Sequence, residues 1–138
     1  MIGELLANVT CVAVAGRGLL IEGPPGSGKS ALALALIDRG ATLVGDDGVT
    51  LEVRSGRLWA HPPPNIAGLL EIRCVGIATL PAGPAPICLV LRLGEAGPRL
   101  PAIEQVRLGG IALPRLSSAP FALDAVRAEW ALRLHGLA

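Results

Sequence analysis

Apolar residues come in short runs along this chain, and Gly or Pro closes almost every run. "CVAVAGRGLLIEG" (11–23) predicts two strands joined by a hairpin turn at Gly16-Arg17-Gly18. "KSALALALIDRG" (29–40) is rich in Ala and Leu and closes on Arg39 and Gly40, which predicts a helix with a basic last turn and a glycine stop. "ATLVGDD" then predicts a short strand ending in Asp46 and Asp47. "VTLEV" (Val49 to Val53) alternates, "RSGR" turns the chain, and "LWA" (Leu58 to Ala60) completes a second hairpin. "HPPPN" is a rigid extended connector. In "IAGLLEIRCVGIATL" (66–80), Glu71 and Arg73 form an isolated charged pair that shares one face of an extended segment. "ICLVLRL" (87–93) reads as a fully buried strand, "GEAGPRLPAIE" (94–104) as a loop carrying Arg99, and "QVRLGGIALPRL" (105–116) as a hairpin. Leu123, Val126, Trp130 and Leu134 recur at helical spacing, so the chain closes with an amphipathic helix whose Trp130 belongs to the core.

These elements describe an α/β fold with a mixed β-sheet and hairpins, expected as one domain over residues 1–138. The formal net charge is +1 and the arginines are scattered, so no nucleic-acid or membrane-surface footprint is present in the sequence. No apolar run approaches the roughly 18 residues of a membrane span, and no basic leader precedes one, so a soluble cytoplasmic protein is expected. Cys11, Cys74 and Cys88 form no paired motif and read as reduced, mostly buried thiols. His61 reads as a surface residue and His135 as a helix-end cation.

The chemistry concentrates in "GPPGSGKS", Gly23-Pro24-Pro25-Gly26-Ser27-Gly28-Lys29-Ser30, which fits the phosphate-binding P-loop pattern. A buried strand precedes it and a helix follows, as that mechanism requires. Its glycines let backbone N–H groups surround a phosphate, and the helix N-terminus adds partial positive charge. Lys29 is the only lysine among 12 Lys and Arg residues. A slim ammonium reaches the β- and γ-phosphates as a point charge. Ser30 would offer its hydroxyl to Mg²⁺. Asp46 and Asp47 stand at a strand end one helix later, where a metal-binding acid and a proton acceptor belong, although an Asp-Asp-Gly turn is the plain alternative. Glu71 and Arg73 are either a structural ion pair or a metal carboxylate beside a phosphate-binding arginine.

Taken together, "GPPGSGKSALALALIDRGATLVGDD" followed by "PPPNIAGLLEIRCVGI" resembles the catalytic domain of the bacterial HPr kinase/phosphorylase family, in a short form lacking the N-terminal domain. The resemblance implies a P-loop kinase core related to phosphoenolpyruvate carboxykinase, and an ATP- and Mg²⁺-dependent protein serine kinase. Its partner would be an HPr-like phosphocarrier of the phosphotransferase system, and its assembly a hexamer. Gly23 to Ser30 would bind ATP, and Ser30, Asp47 and Glu71 would hold Mg²⁺. The Asp46/Asp47 pair would supply the base, with Lys29, Arg73 and Arg99 on the phosphates. Asn8 stands where the family has an active-site His, Cys74 replaces a glycine, and a "GRN"-type loop linked to dephosphorylation is missing. Kinase activity with weak phosphate-dependent dephosphorylation is therefore expected. The alternatives are a small-molecule P-loop kinase and a nucleotide-binding sensor without efficient turnover. A GTPase is not expected, because an N-K-x-D guanine-specificity motif cannot form with a single lysine at position 29.

Overall fold

The computed structural model describes residues 3–94, 99, 101–120 and 122–138. In chain order the elements are β1 (Leu5–Ala7), β2 (Thr10–Val14), β3 (Arg17–Glu22), α1 (Lys29–Asp38), β4 (Thr42–Gly45), β5 (Gly48–Arg54) and β6 (Arg57–His61). They continue with β7 (Leu69–Ile72), β8 (Gly76–Thr79), β9 (Ala85–Leu93), β10 (Glu104–Leu108), β11 (Ile111–Ser118) and α2 (Ala125–His135).

The long apolar run becomes β9, buried from Ala85 to Leu91 on both faces, and the nine-stranded mixed sheet is organised around it. On one side β9 pairs in parallel with β3, beyond which β2 and β4 add antiparallel strands. On the other side its first residues pair with β6, through Trp59↔Pro86 and Ala60↔Ala85, and its last four pair in parallel with β11. Two strand groups, β6–β5–β1 and β11–β10, thus branch from opposite ends of one strand, and the sheet curls around a core that includes Leu20, Val49, Leu58, Ile87 and Val90. The other face carries Leu19, Ile21, Leu89 and Leu91 beneath α1 and α2. Burying each such side chain stabilises the fold by about 1.5–3 kcal/mol.

The first hairpin turns at Ala15-Gly16, with φ of 50° and 80°, rather than at Gly16-Arg17-Gly18. Two consecutive left-handed residues make the tight turn that matches strand twist, and Arg17 is left inside β3. The helix α1 stops at Asp38, with Arg39 as its C-cap, so the basic residue follows the last turn instead of lying in it.

The closing helix forms, but with a different face inward. Ala125, Ala128, Ala131 and Leu132 are buried, whereas Val126, Trp130 and Leu134 are exposed, Trp130 at 50% and Leu134 at 69%. Alanines allow α2 to lie close against the body of the fold, and Arg39 at the end of α1 bridges to Glu129 at 2.9 Å. Leu123 packs against the same core from just outside the helix. Among the described residues no helix is long and apolar enough to cross a membrane.

Candidate functional site

The loop from Gly23 to Gly28 leaves the end of β3 and enters α1 at Lys29. Gly23 has φ 153°, and a Cβ there would meet the Leu93 carbonyl oxygen at 2.3 Å, so only glycine lets the chain leave β3 against the end of β9. Gly26 and Gly28 also take positive φ, 79° and 100°. Gly28 is the N-cap of α1 and offers no side chain, and no acid occupies the first turn. The first N–H groups of the helix and its positive end are therefore uncompensated by protein carboxylates in that turn. Lys29 Nζ donates to the Gly23 carbonyl at 2.8 Å and the Pro24 carbonyl at 3.2 Å, which folds the ammonium back over the loop. Ser27 is only 2% exposed, and its Oγ has no protein partner.

Asp46 follows β4 and is half-buried. Its Oδ1 accepts from Ser30 Oγ at 2.8 Å and from Thr10 Oγ1 at 2.9 Å. Thr10 is 1% exposed, so this carboxylate ties the start of α1 to a buried hydroxyl of β2. Asp47 is exposed with φ 63°, and its carbonyl accepts the Asn8 backbone N–H at 3.1 Å. Ser30 therefore pairs with Asp46, not with Asp47, the acid expected to share its metal. The clamp by Thr10 was missed; a lone hydroxyl in the apolar stretch "VTCVAVA" was its signal in the sequence.

Glu71 and Arg73 do not share one extended strand. β7 and β8 form a separate two-stranded hairpin, with Glu71 in β7 and Arg73 opening the turn, where Cys74 has φ 67°. The hairpin is anchored by Leu70, fully buried in the core beneath α1. Both charged residues are exposed, and they line a cleft of about 380 Å³ together with Gly26, Gly28, Lys29, Ser30, Ala31, Leu34 and Ile72. The fold thus brings the glycine loop, Lys29, Ser30, Glu71 and Arg73 to one cleft, with Asp46 bonded to Ser30. Arg99 is exposed and is not among the lining residues. His61 is not a free surface residue: its Nε2 lies 2.7 Å from Glu52 Oε1, and this hydrogen bond holds the Glu52 carboxyl below its usual range, with Arg54 adding to the effect.

The residues fit a magnesium nucleotide. A buried orphan hydroxyl, two positive-φ glycines and an uncapped helix start form a cradle for phosphate oxygens. Ser30, Asp46 and Glu71 are hard oxygen donors, and Mg²⁺ is typically held by one or two carboxylates together with substrate phosphates.

Comparison with known proteins bears on the same residues. Residues 4–82 match the model of the HPr Serine kinase C-terminal domain. The HPr kinase/phosphorylase of Streptococcus thermophilus is 34% identical over 126 residues, an alignment covering 76% of this chain and 39% of that protein. The HPr kinase/phosphorylase of Clostridium tetani is 45% identical over 71 residues, 51% of this chain and 23% of that protein. The structure of the Hpr(Ser) kinase/phosphatase from Coxiella burnetii superposes with a TM-score of 0.80 at 26% identity, covering 96% of this chain and 95% of that one. The chain spans about 39% of the length of the first of these relatives. It belongs to the HPr Serine kinase C-terminal domain family.

Proposed function

We propose, from that membership, that this chain is an ATP-dependent protein serine kinase acting on an HPr-like phosphocarrier of the phosphotransferase system. The observation that carries the reading is the convergence of the glycine loop, Lys29, Ser30, Glu71 and Arg73 on one cleft beside Asp46.

In this reading Gly23 to Ser30 is a P-loop of the Walker A type, in a core related to that of phosphoenolpyruvate carboxykinase. Its backbone N–H groups and the start of α1 hold the β- and γ-phosphates of ATP. Lys29 exchanges its loop carbonyls for phosphate oxygens and stabilises charge on the transferring group. Bound Mg²⁺ would screen the phosphates and hold the γ-phosphoryl in line. Ser30 and Asp46 would hold it from the α1 side and Glu71 from the hairpin. Asp47, exposed on the turn beside Asn8, is free to take the proton from the attacking serine hydroxyl. Arg73 steadies the γ-phosphoryl from the facing wall, and Arg99 approaches it in the complex with the phosphocarrier. In the reverse direction the same acid returns the proton to the serine, but Asn8 stands where the family has a titratable His and the "GRN"-type loop is missing, so phosphate-dependent dephosphorylation is weak. The protein works in the cytoplasm, as one catalytic domain in a homo-oligomer, a hexamer by family resemblance.

The test is incubation with Mg-ATP and a purified HPr-like phosphocarrier, followed by mass spectrometry. A single added phosphate on a serine supports the reading. ATP hydrolysis with no modified protein would overturn the proposed substrate, and no ATP turnover at all would overturn the kinase reading.

A further inference from the structure

At the far end of the sheet's parallel strands, on the face that carries Leu20 and Val90, four charged side chains meet. Glu22, the last residue of β3, stands in register with Arg92 of β9. Its Oε1 lies 3.4 Å from Arg115 Nη1 and 3.9 Å from Arg92 Nη1. Arg115, on β11, reaches Glu104 Oε2 with its other terminal nitrogen at 3.3 Å, while its Nε is buried with no protein partner. Among the described residues two arginines and two carboxylates balance, so the cluster is no anion trap; its chemistry is that of a brace. What it braces is the root of the glycine loop. Glu22 directly precedes Gly23, whose position is already fixed against Leu93 and whose carbonyl accepts from Lys29 Nζ at 2.8 Å.

We infer that Arg115 is a positioning residue for the phosphate loop, acting through Glu22 on the Gly23 carbonyl and so on the placement of the Lys29 ammonium. The inference rests on the nucleotide-binding reading of that loop. A small displacement of a group that must meet a transferring phosphoryl is costly in turnover, whereas ground-state binding is spread over the remaining backbone contacts. Arg115→Met should therefore lower kcat by about tenfold and leave KM for ATP within about twofold.

The single lysine allows a test that needs no turnover. In protein carrying ¹³C,¹⁵N-lysine, the one side-chain Cε/Nζ signal is Lys29. Arg115→Met and the isosteric Glu22→Gln should each shift or broaden it, and the double variant should do so no more than either single, as expected for groups acting in series. Glu104→Gln, on a strand that does not touch the loop root, should leave it in place. An unmoved signal in Glu22→Gln, which decides the matter even should Arg115→Met fail to fold, overturns the inference. Additive shifts, or an equal shift in Glu104→Gln, overturn it too. Absence of phosphoryl transfer in the wild type would count against the kinase reading instead, and the lysine signal would still decide this one.

Discussion

Gly23→Ala and Gly26→Ala should fail for different reasons, because the structure separates the anchoring end of the loop from its ligand-facing part. At Gly23 the added methyl would sit 2.3 Å from a backbone carbonyl oxygen, in a region of φ that L residues rarely adopt. The oxygen belongs to β9, which cannot yield without disturbing the central strand, so overpacking of about 1–3 kcal/mol adds to left-handed strain of about 1–2 kcal/mol. At Gly26 the methyl meets nothing within 4 Å, and only the strain remains. An unfolding entropy of about 2.1 cal/mol/K per residue turns each kcal/mol into a shift of about 3.5 °C for a chain of 138 residues. Gly26→Ala should therefore melt about 3–7 °C below wild type and Gly23→Ala about 7–17 °C below it. Although nearly intact, Gly26→Ala places a methyl on the loop that lines the cleft and should lose about 10²-fold in turnover with ATP. The assay is differential scanning calorimetry on both variants, followed by nucleotide titration and initial rates. Wild-type nucleotide affinity and rate in a folded Gly26→Ala protein would refute the cradle, and equal melting points for the two variants would refute the anchoring argument.

Other outcomes follow from neighbouring groups. Asp46→Ala strands the buried Thr10 hydroxyl and should cost about 1–3 kcal/mol by calorimetry, whereas Asp47→Asn should leave the melting point unchanged and slow transfer by about 10² to 10⁴. The Glu52 carboxyl is held below its ordinary value of 4.5 by His61, so the folded state binds this proton less readily than the unfolded chain. Its stabilisation is present above 4.5 and lost as pH falls through the lowered value; urea midpoints across that range should fall less steeply in Glu52→Gln than in wild type. Burial, with Cys88 nearby, pushes the Cys11 thiol up to about 12, so a thiolate reagent at neutral pH should label exposed Cys74 alone in native protein and all three cysteines after denaturation.

Much of this was legible before any coordinates. The strand–loop–helix around Lys29 follows from local rules that agree with one another: a buried strand, glycines at the turn, an uninterrupted Ala/Leu helix and a glycine stop. The 87–93 run has no polar position before Arg92, and Ile87 to Leu91 are buried on both sides. Reading failed where two local solutions competed. On α2 both the bulky series Val126, Trp130, Leu134 and the small series Ala125, Ala128, Ala131 have helical spacing, and close approach to the body of the fold selected the small one. Around Arg73 the alternation of "LLEIRCVGI" favoured one extended segment, but Cys74 adopts a left-handed φ and folds the chain back, which periodicity does not encode. Of the residues singled out by motif, Gly26, Gly28, Lys29, Ser30, Glu71 and Arg73 line one cleft, yet which acid meets Ser30 depends on how the chain leaves β4. Asp46 faces inward there, and Asp47 takes the left-handed corner. The Glu22–Arg115 pair joins positions distant in sequence and had no local signature at all.

The measurement closest to the central claim is the initial rate of phosphate transfer from γ-labelled ATP to the serine of a purified HPr-like phosphocarrier, with wild type and Lys29→Ala compared at equal folded concentration. Lys29 is half-buried at the cleft, and among the described residues its ammonium hydrogen-bonds to carbonyls of its own loop, so the variant should fold with an unchanged circular dichroism spectrum. Label should appear on the phosphocarrier with wild type, should be absent when the serine is replaced by alanine, and should fall by about 10³-fold or more in Lys29→Ala. Transfer by Lys29→Ala at the wild-type rate would contradict the account.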